Sequence, residues 1–216
     1  MSEGKLIVID GIDGSGKTSQ TKIIFEKLKC NGYPIETLKF PQYNKNFFGG
    51  MVKRYLDGEF GLATEVNPYL ASLLYAADRW ESSKIISNWL DEGKNVLLDR
   101  YYTSNLIHQA SKLSASEIDK FITWDEKVEL EVFNIPKPNL IIFLHLDAEI
   151  ARDMISTRGE GLDGLDTIEH MKKSEIQCLK MAEKAGWKKI ECAKDNKILP
   201  IEKISDLIYQ EVIKII

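Results

Sequence analysis

Residues 11–18 read Gly-Ile-Asp-Gly-Ser-Gly-Lys-Thr and come directly after the apolar run Leu6–Ile9. Glycines at this spacing before Lys-Thr, between a strand and a helix, are typical of a loop that binds nucleotide phosphates. Glycine lets the backbone turn its N–H groups toward phosphate oxygens, and the start of the next helix adds partial positive charge. The predicted residues for binding a nucleoside triphosphate are therefore Gly11, Ile12, Asp13, Gly14, Ser15, Gly16, Lys17 and Thr18.

The last two residues of this loop supply functional groups. The Lys17 ammonium can reach the β- and γ-phosphates, and the Thr18 hydroxyl can bind Mg²⁺. A second apolar run, 96–98, ends at Asp99 and Arg100. In a parallel sheet Asp99 would lie at the same edge as the loop and could hold Mg²⁺ or orient an acceptor, and Arg100 could clamp a phosphate. A purely structural role for this pair remains the alternative.

Short apolar runs alternate with longer amphipathic ones along the whole chain, which predicts a parallel sheet with helices on both faces. The predicted strands are Leu6–Ile9, Ile35–Lys39, Val96–Asp99, Leu140–Leu146 and Lys189–Cys192. The predicted helices lie near 17–30, 47–57, 67–92, 102–111, 115–132, 148–156, 166–185 and 201–215. The predicted fold is a three-layer α/β sandwich of the P-loop NTPase type, with about five parallel strands.

Composition limits the partners of the chain. Its 216 residues and 44% hydrophobic content predict one globular domain over 1–216, and a net charge of −4 gives no reason to expect nucleic-acid binding. The longest apolar stretch, Leu140–Leu146, is too short to span a bilayer, so no membrane partner is expected. Cys30, Cys178 and Cys192 lack paired spacing, which favours reduced thiols in the cytoplasm.

Residues 157–165 read Thr-Arg-Gly-Glu-Gly-Leu-Asp-Gly-Leu and interrupt the helical pattern with three glycines. The pattern predicts a mobile loop between two helices, and a plain helix–helix connection is the alternative. In a nucleotide kinase this segment, approximately 156–166, would form a lid over the phosphates.

Five ordered stretches give the chain a resemblance to the thymidylate kinase family, whose members phosphorylate dTMP. They are the loop 11–18 with Ser19-Gln20, then Phe40-Pro41-Gln42-Tyr43, Arg54-Tyr55-Leu56-Asp57-Gly58-Glu59-Phe60-Gly61, Leu74-Tyr75-Ala76-Ala77-Asp78-Arg79-Trp80-Glu81, and Asp99-Arg100-Tyr101-Tyr102-Thr103-Ser104-Asn105. The resemblance implies ATP and dTMP as substrates, dTDP as product, Mg²⁺ as cofactor and a homodimer. A kinase for another acceptor and a nucleotide-dependent switch are the rival functions.

The resemblance also implies residue roles. Tyr75 matches the aromatic residue that stacks on thymine, and Arg79 matches the donor to a thymine carbonyl. Phe40 matches an aromatic residue lining the acceptor site, and Asn105 matches a residue near the base edge. The remaining implied contacts to the acceptor are Arg100 at its phosphate and Asp13 near its sugar and the metal.

The chain departs from the family pattern at positions 42 and 43 and at His108, and position 14 is one that varies among relatives. Relatives often carry an arginine at position 42 or 43, whereas this chain has Gln42 and Tyr43, so Lys39 or Arg54 would have to grip phosphate instead. His108 replaces a tyrosine that in some relatives contacts the deoxyribose, which leaves selection against ribose open. Some relatives place a catalytic arginine at position 14, where this chain has glycine. The lid is then expected to supply it, with Arg158 first and Arg152 second.

Overall fold

The structure, a computed structural model, describes residues 3–158 and 167–216. Its described part contains a parallel five-stranded sheet in the order β2-β3-β1-β4-β5. The strands are β1 (Leu6–Asp10), β2 (Ile35–Lys39), β3 (Asn95–Asp99), β4 (Leu140–His145) and β5 (Lys188–Glu191). Every residue of β1 and β3 is buried, as the unbroken apolar runs of a sheet covered on both faces require. The predicted fold class is confirmed.

Seven α-helices surround the sheet in the described part of the chain. They are α1 (Lys17–Cys30), α2 (Phe47–Leu56), α3 (Pro68–Asp91), α4 (Ala115–Lys127), α5 (Ala148–Arg158), α6 (Ile168–Ala185) and α7 (Ile201–Val212). Helix α1 packs against α7, while α3 and α6 both pack against the segment that follows β3. Among the described helices, none is both long and apolar enough to cross a bilayer.

Two predicted helices contain π-helical turns. The predicted helix 102–111 is a π-helical turn at Asn105–Gln109 followed by a 3₁₀ turn at Ala110–Lys112. The predicted helix 115–132 ends its α-helical part at Lys127 and continues as a π-helical turn at Val128–Val132. In such turns the backbone hydrogen bonds span five residues instead of four, and they often occur at functional sites.

The sequence prediction also missed a small hairpin, β6 (Ala193–Lys194) paired antiparallel with β7 (Lys197–Ile198). Asp195 and Asn196 form its turn with φ values of 51° and 57°. Asp and Asn tolerate this left-handed conformation better than most residues, and two-residue hairpin turns of the I′ type require it.

A small second core lies beside the sheet, around Tyr55 and Ala63. The Lys112 ammonium donates to the hydroxyl of Tyr55 at 2.9 Å and to the carbonyl of Ala63 at 2.5 Å. Desolvation by burial lowers the pKa of Lys112 to about 8. Lys112 thereby joins the 3₁₀ turn after β3 to α2 and to the loop that follows it.

Candidate active site

The carboxyl ends of β1 and β3 bring the two predicted motifs together. Ile9 lies opposite Asp99 in the sheet, and the Arg100 amide donates to the Ile9 carbonyl at 3.0 Å. The phosphate-binding loop therefore begins beside Asp99 and Arg100. This is the edge at which parallel α/β sheets bind ligands.

The loop itself has the geometry that its glycines predicted. Gly14 and Gly16 have φ values of 80° and 90°, which side chains rarely adopt. A Cβ atom on Gly14 would also lie 2.3 Å from the carbonyl oxygen of Ala151 on α5. Only glycine fits this position while α5 stays where it is.

Lys17 is buried in the loop, with 6% of its side chain exposed. Its ammonium donates to the Ile12 carbonyl at 2.7 Å and lies 3.8 Å from a carboxylate oxygen of Asp13. Burial and the nearby Arg100 charge lower the pKa of Lys17 from its usual value, while Asp13 opposes the shift. A bound phosphate would be a stronger partner for this ammonium than a neutral carbonyl.

Asp10 ties the loop to the segment after β3 and was not singled out from the sequence. It is fully buried and accepts from the Gly11 amide at 2.8 Å and from the hydroxyls of Thr103 and Ser104. Burial raises the pKa of Asp10, although Arg100 and Thr103 act in the opposite direction. A carboxylate at the end of an apolar strand was the signal, as it was for Asp99.

Thr18 and Asp99 form a pair that suits a magnesium ion. The Thr18 hydroxyl donates to Asp99 Oδ2 at 2.6 Å, and the Lys39 ammonium lies 3.0 Å from the Thr18 hydroxyl oxygen and 3.9 Å from Asp99 Oδ2. Asp99 Oδ1 is buried without a hydrogen-bond partner among the described residues. Magnesium takes one or two protein oxygens plus phosphate and water oxygens, so this donor set fits the ion.

A cavity of about 170 Å³ opens next to the phosphate-binding loop. It contains seven of the eight residues predicted to bind the acceptor. Its lining residues are Asp13, Lys39, Phe40, Pro41, Tyr43, Leu56, Tyr75, Arg79, Arg100, Tyr101, Ser104, Asn105, His108 and Gln109.

Arg100, Asp13 and His108 meet within this lining. Arg100 forms an ion pair with Asp13, and its Nη1 lies 3.1 Å from Nε2 of His108. Burial opposes ionisation of Asp13, but the charges of Arg100 and Lys17 outweigh it and hold the pKa of Asp13 below its usual range. Burial also lowers the pKa of His108, so its imidazole is neutral and Nε2 accepts from Arg100.

Another part of the lining is built from Tyr75, Arg79 and Asn105. Arg79 is 2% exposed, and its Nε donates to the two carboxylate oxygens of Glu129 at 3.1 and 3.2 Å. Burial disfavours the charged guanidinium, but Glu129 outweighs it and raises the pKa of Arg79. Glu129 was not predicted; it holds a fixed cation beside an aromatic ring and an amide.

Two predicted residues lie elsewhere. Arg54 on α2 is half exposed, pairs with Glu59 at 2.7 Å and lies over the Phe60 ring, outside the lining of the cavity. Its predicted contact with the acceptor stays a prediction. Arg158 is the last residue of α5, and its side chain, like lid residues 159–166, lies outside the described residues. Its catalytic role also stays a prediction.

Comparisons with known proteins identify the relatives of the chain. The sequence pattern described as thymidylate kinase matches residues 9–204. The thymidylate kinase of Mycobacterium tuberculosis is 29% identical over 80% of each chain. That of Schizosaccharomyces pombe is 31% identical, over 80% of this chain and 74% of the relative.

Among solved structures, thymidylate kinase from Candida albicans superposes with a TM-score of 0.78. The match covers 99% of this chain and 93% of the other, at 24% identity, and so bears on the fold alone. The phosphate-binding loop, the strand-end Asp-Arg pair and the adjoining cavity all fall within the matched residues 9–204. The chain therefore belongs to the thymidylate kinase family.

Proposed function

We propose that the protein transfers the γ-phosphoryl group of ATP to the 5′-phosphate of dTMP, giving ADP and dTDP. One observation carries the proposal. A single cavity is lined both by Arg100 and Asp13, beside the phosphate-binding loop, and by Tyr75, Arg79 and Asn105. The first group suits a phosphate and the second a flat base with polar edges.

ATP lies with its phosphates against the backbone N–H groups of 11–18, and Lys17 moves from the Ile12 carbonyl to the β- and γ-phosphates. Thr18 and Asp99 would hold Mg²⁺, which neutralises charge on those phosphates. Because the transferred group forms few covalent bonds in the transition state, the protein acts by positioning and charge stabilisation. The lid, with Arg158 as its main cation, remains part of this proposal.

The acceptor phosphate lies on Arg100, whose guanidinium Asp13 and His108 hold in place. A neutral His108 can accept from Arg100 without adding a competing positive charge. The ring centroids of Phe40 and Tyr101 are 5.8 Å apart, and Phe40 lines the acceptor side of the cavity. Tyr75 stacks on the base, and Arg79 and Asn105 contact its polar edge.

Replacement of Arg79 should impair use of dTMP much more than use of ATP. We expect Arg79→Met to raise KM for dTMP about 10- to 100-fold, the effect of removing a hydrogen bond from a charged donor. KM for ATP should be nearly unchanged. Steady-state kinetics with each substrate varied in turn measures both constants.

Arg79→Met also leaves Glu129 buried without its partner, which is destabilising by itself. The double variant Arg79→Met/Glu129→Gln removes that charge and should show the same selective loss with better folding. Lys84→Met, an exposed change on the same helix, serves as the control. Equal losses for dTMP and ATP in the double variant would place Arg79 outside the acceptor site.

A panel of acceptors tests the proposed function directly. With Mg-ATP, the protein should form ADP in the presence of dTMP and only slowly without an acceptor. Faster turnover with another monophosphate or with a deoxynucleoside would favour a kinase for that acceptor. ADP formation at the same rate with every acceptor, and with none, would favour a nucleotide-dependent switch.

The homodimer stays a prediction of family membership. Leu70, Leu73 and Trp80 on α3 are exposed apolar side chains at helical spacing, and such a face is compatible with a second copy.

A further inference from the structure

Hydrogen bonds to three oxygen atoms fix the orientation of the Asn105 side-chain amide. Its nitrogen Nδ2 lies 3.0 Å from Asp125 Oδ1, 3.3 Å from the Ser72 carbonyl and 3.4 Å from Glu129 Oε1. All three neighbours are oxygen acceptors, so the reversed amide would place its own oxygen against three other oxygens. Asn105 lines the cavity, and this arrangement leaves Oδ1 as the atom of the amide available to a ligand.

Among these three acceptors, Asp125 offers a side-chain oxygen that no other described residue shares with Asn105. Glu129 accepts from Arg79 with both oxygens, and the Ser72 carbonyl belongs to the backbone of α3. Asp125 is 1% exposed and makes the shortest bond to the amide, and the Ser72 hydroxyl is the other side-chain donor beside its carboxyl group. Burying a carboxyl group costs free energy that its hydrogen bonds must offset, so the bond to Asn105 also stabilises Asp125 in this position.

We propose that Asp125 is a positioning residue for base selection, because it holds the Asn105 amide with its oxygen toward the cavity. This rests on the proposed function. The N3–H of thymine can donate to Asn105 Oδ1 while Arg79 donates to a thymine carbonyl. Cytosine has an acceptor at N3 and an amino group at C4. Asn105 Oδ1 would then face an acceptor, and the Arg79 guanidinium would face a donor. The site therefore selects bases with an imide edge.

The surroundings of Asp125 contain little positive charge to stabilise a second carboxylate beside Glu129. Arg79 supplies one positive charge, and Glu129 already neutralises it. Burial and the Glu129 charge raise the pKa of Asp125. The Asn105 amide needs only an acceptor oxygen at the place of Asp125 Oδ1, and an asparagine at position 125 would also provide one.

Two substitutions of Asp125 should differ in their effect on base selectivity. The ratio of kcat/KM for dTMP to that for dCMP is measured in the full chain with Mg-ATP. Asp125→Leu should lower this ratio at least about 10-fold, the effect of one unmatched polar group. Asp125→Asn should keep it near the wild-type value. Asp119→Leu, an exposed change on the same helix α4, is the control and should change nothing.

A coupling measurement tests whether Asp125 acts through Asn105. In an Asn105→Ala background, Asp125→Leu should produce no further change in the ratio. If Asp125→Leu does not fold, Asp125→Ala provides the same comparison with a smaller apolar side chain. Folding is checked by circular dichroism and thermal unfolding.

The inference is overturned if a folded Asp125→Leu or Asp125→Ala keeps the wild-type ratio, or loses dTMP and dCMP activity equally. It is also overturned if Asp125→Asn loses selectivity as strongly as Asp125→Leu. Failure of the proposed function looks different, because wild-type protein would then not phosphorylate dTMP at all.

Discussion

Lys17→Ala should lower kcat for phosphoryl transfer by about 10³-fold or more, the order of effect of a positioned cation in this reaction. Lys17 is the ammonium that lies within the phosphate-binding loop, and its present partners are a backbone carbonyl and the Asp13 carboxylate. Its charge is needed most when charge develops on the transferring group, so the loss falls on kcat. Rapid-quench measurement of dTDP formation under single-turnover conditions isolates this step.

The fold should survive this change. Lys17 contributes one hydrogen bond to a carbonyl and lies outside the apolar core, and thermal unfolding should shift only modestly. Lys22→Ala alters an exposed lysine on the same helix α1 and is the matched control. Turnover near wild type in a folded Lys17→Ala protein would refute the assignment of residues 11–18 as the donor site.

Arg100→Ala should lower kcat/KM for dTMP by about 10²- to 10³-fold, because a pair of charge-assisted hydrogen bonds to the acceptor phosphate is lost. Arg100 has a φ of 68°, and alanine has the same Cβ, so the backbone strain is unchanged by the substitution. Arg100→Lys keeps the charge but not the planar fork and should recover only part of the loss. Steady-state kinetics at varied dTMP concentration gives kcat/KM for the wild type, Arg100→Ala and Arg100→Lys.

Arg100→Ala should also change how the stability of the fold depends on pH. In the wild type Arg100 holds the pKa of Asp13 low, so the pair stabilises the fold above the unfolded pKa of about 4 and loses that contribution as pH falls through the lower folded value. Without Arg100 the pKa of Asp13 rises toward or above its unfolded value, so this contribution is missing already at neutral pH. The variant should therefore be less stable than wild type at neutral pH, and the difference should narrow as pH falls below about 4. Identical acid-unfolding curves for the two proteins would contradict the importance of this ion pair.

Local sequence patterns predicted the regular elements well. The predicted bounds Ile35–Lys39 for β2 and 17–30 for α1 agree with the structure, because β-branched residues favour a strand and a loop ending in Lys-Thr marks the start of a helix. The π-helical turn at Asn105–Gln109 was missed, since its residues suit an α-helix equally well. This turn packs against α3 and α6, and no local pattern reports such contacts.

The sequence predicted the site residues that stand in recognisable motifs. It missed residues whose role depends on a partner far away in the chain. Lys17, Asp99 and Arg100 follow from their positions in recognisable motifs. Asp125 and Glu129 are acidic residues four apart on a predicted helix, a pattern typical of a solvent-exposed face. Both are buried, and the partner of Glu129 is Arg79, fifty residues earlier in the chain. Such a contact is set by the tertiary fold.

Gly14 restricts how this enzyme could change its source of catalytic charge. The family resemblance implies that an arginine can stand at this position in some relatives. In this chain its Cβ would lie 2.3 Å from the Ala151 carbonyl, at a backbone φ of 80°. A single codon change would therefore distort the loop before any new cation could act. Engineering an arginine into this loop therefore requires redesign of α5 together with the loop.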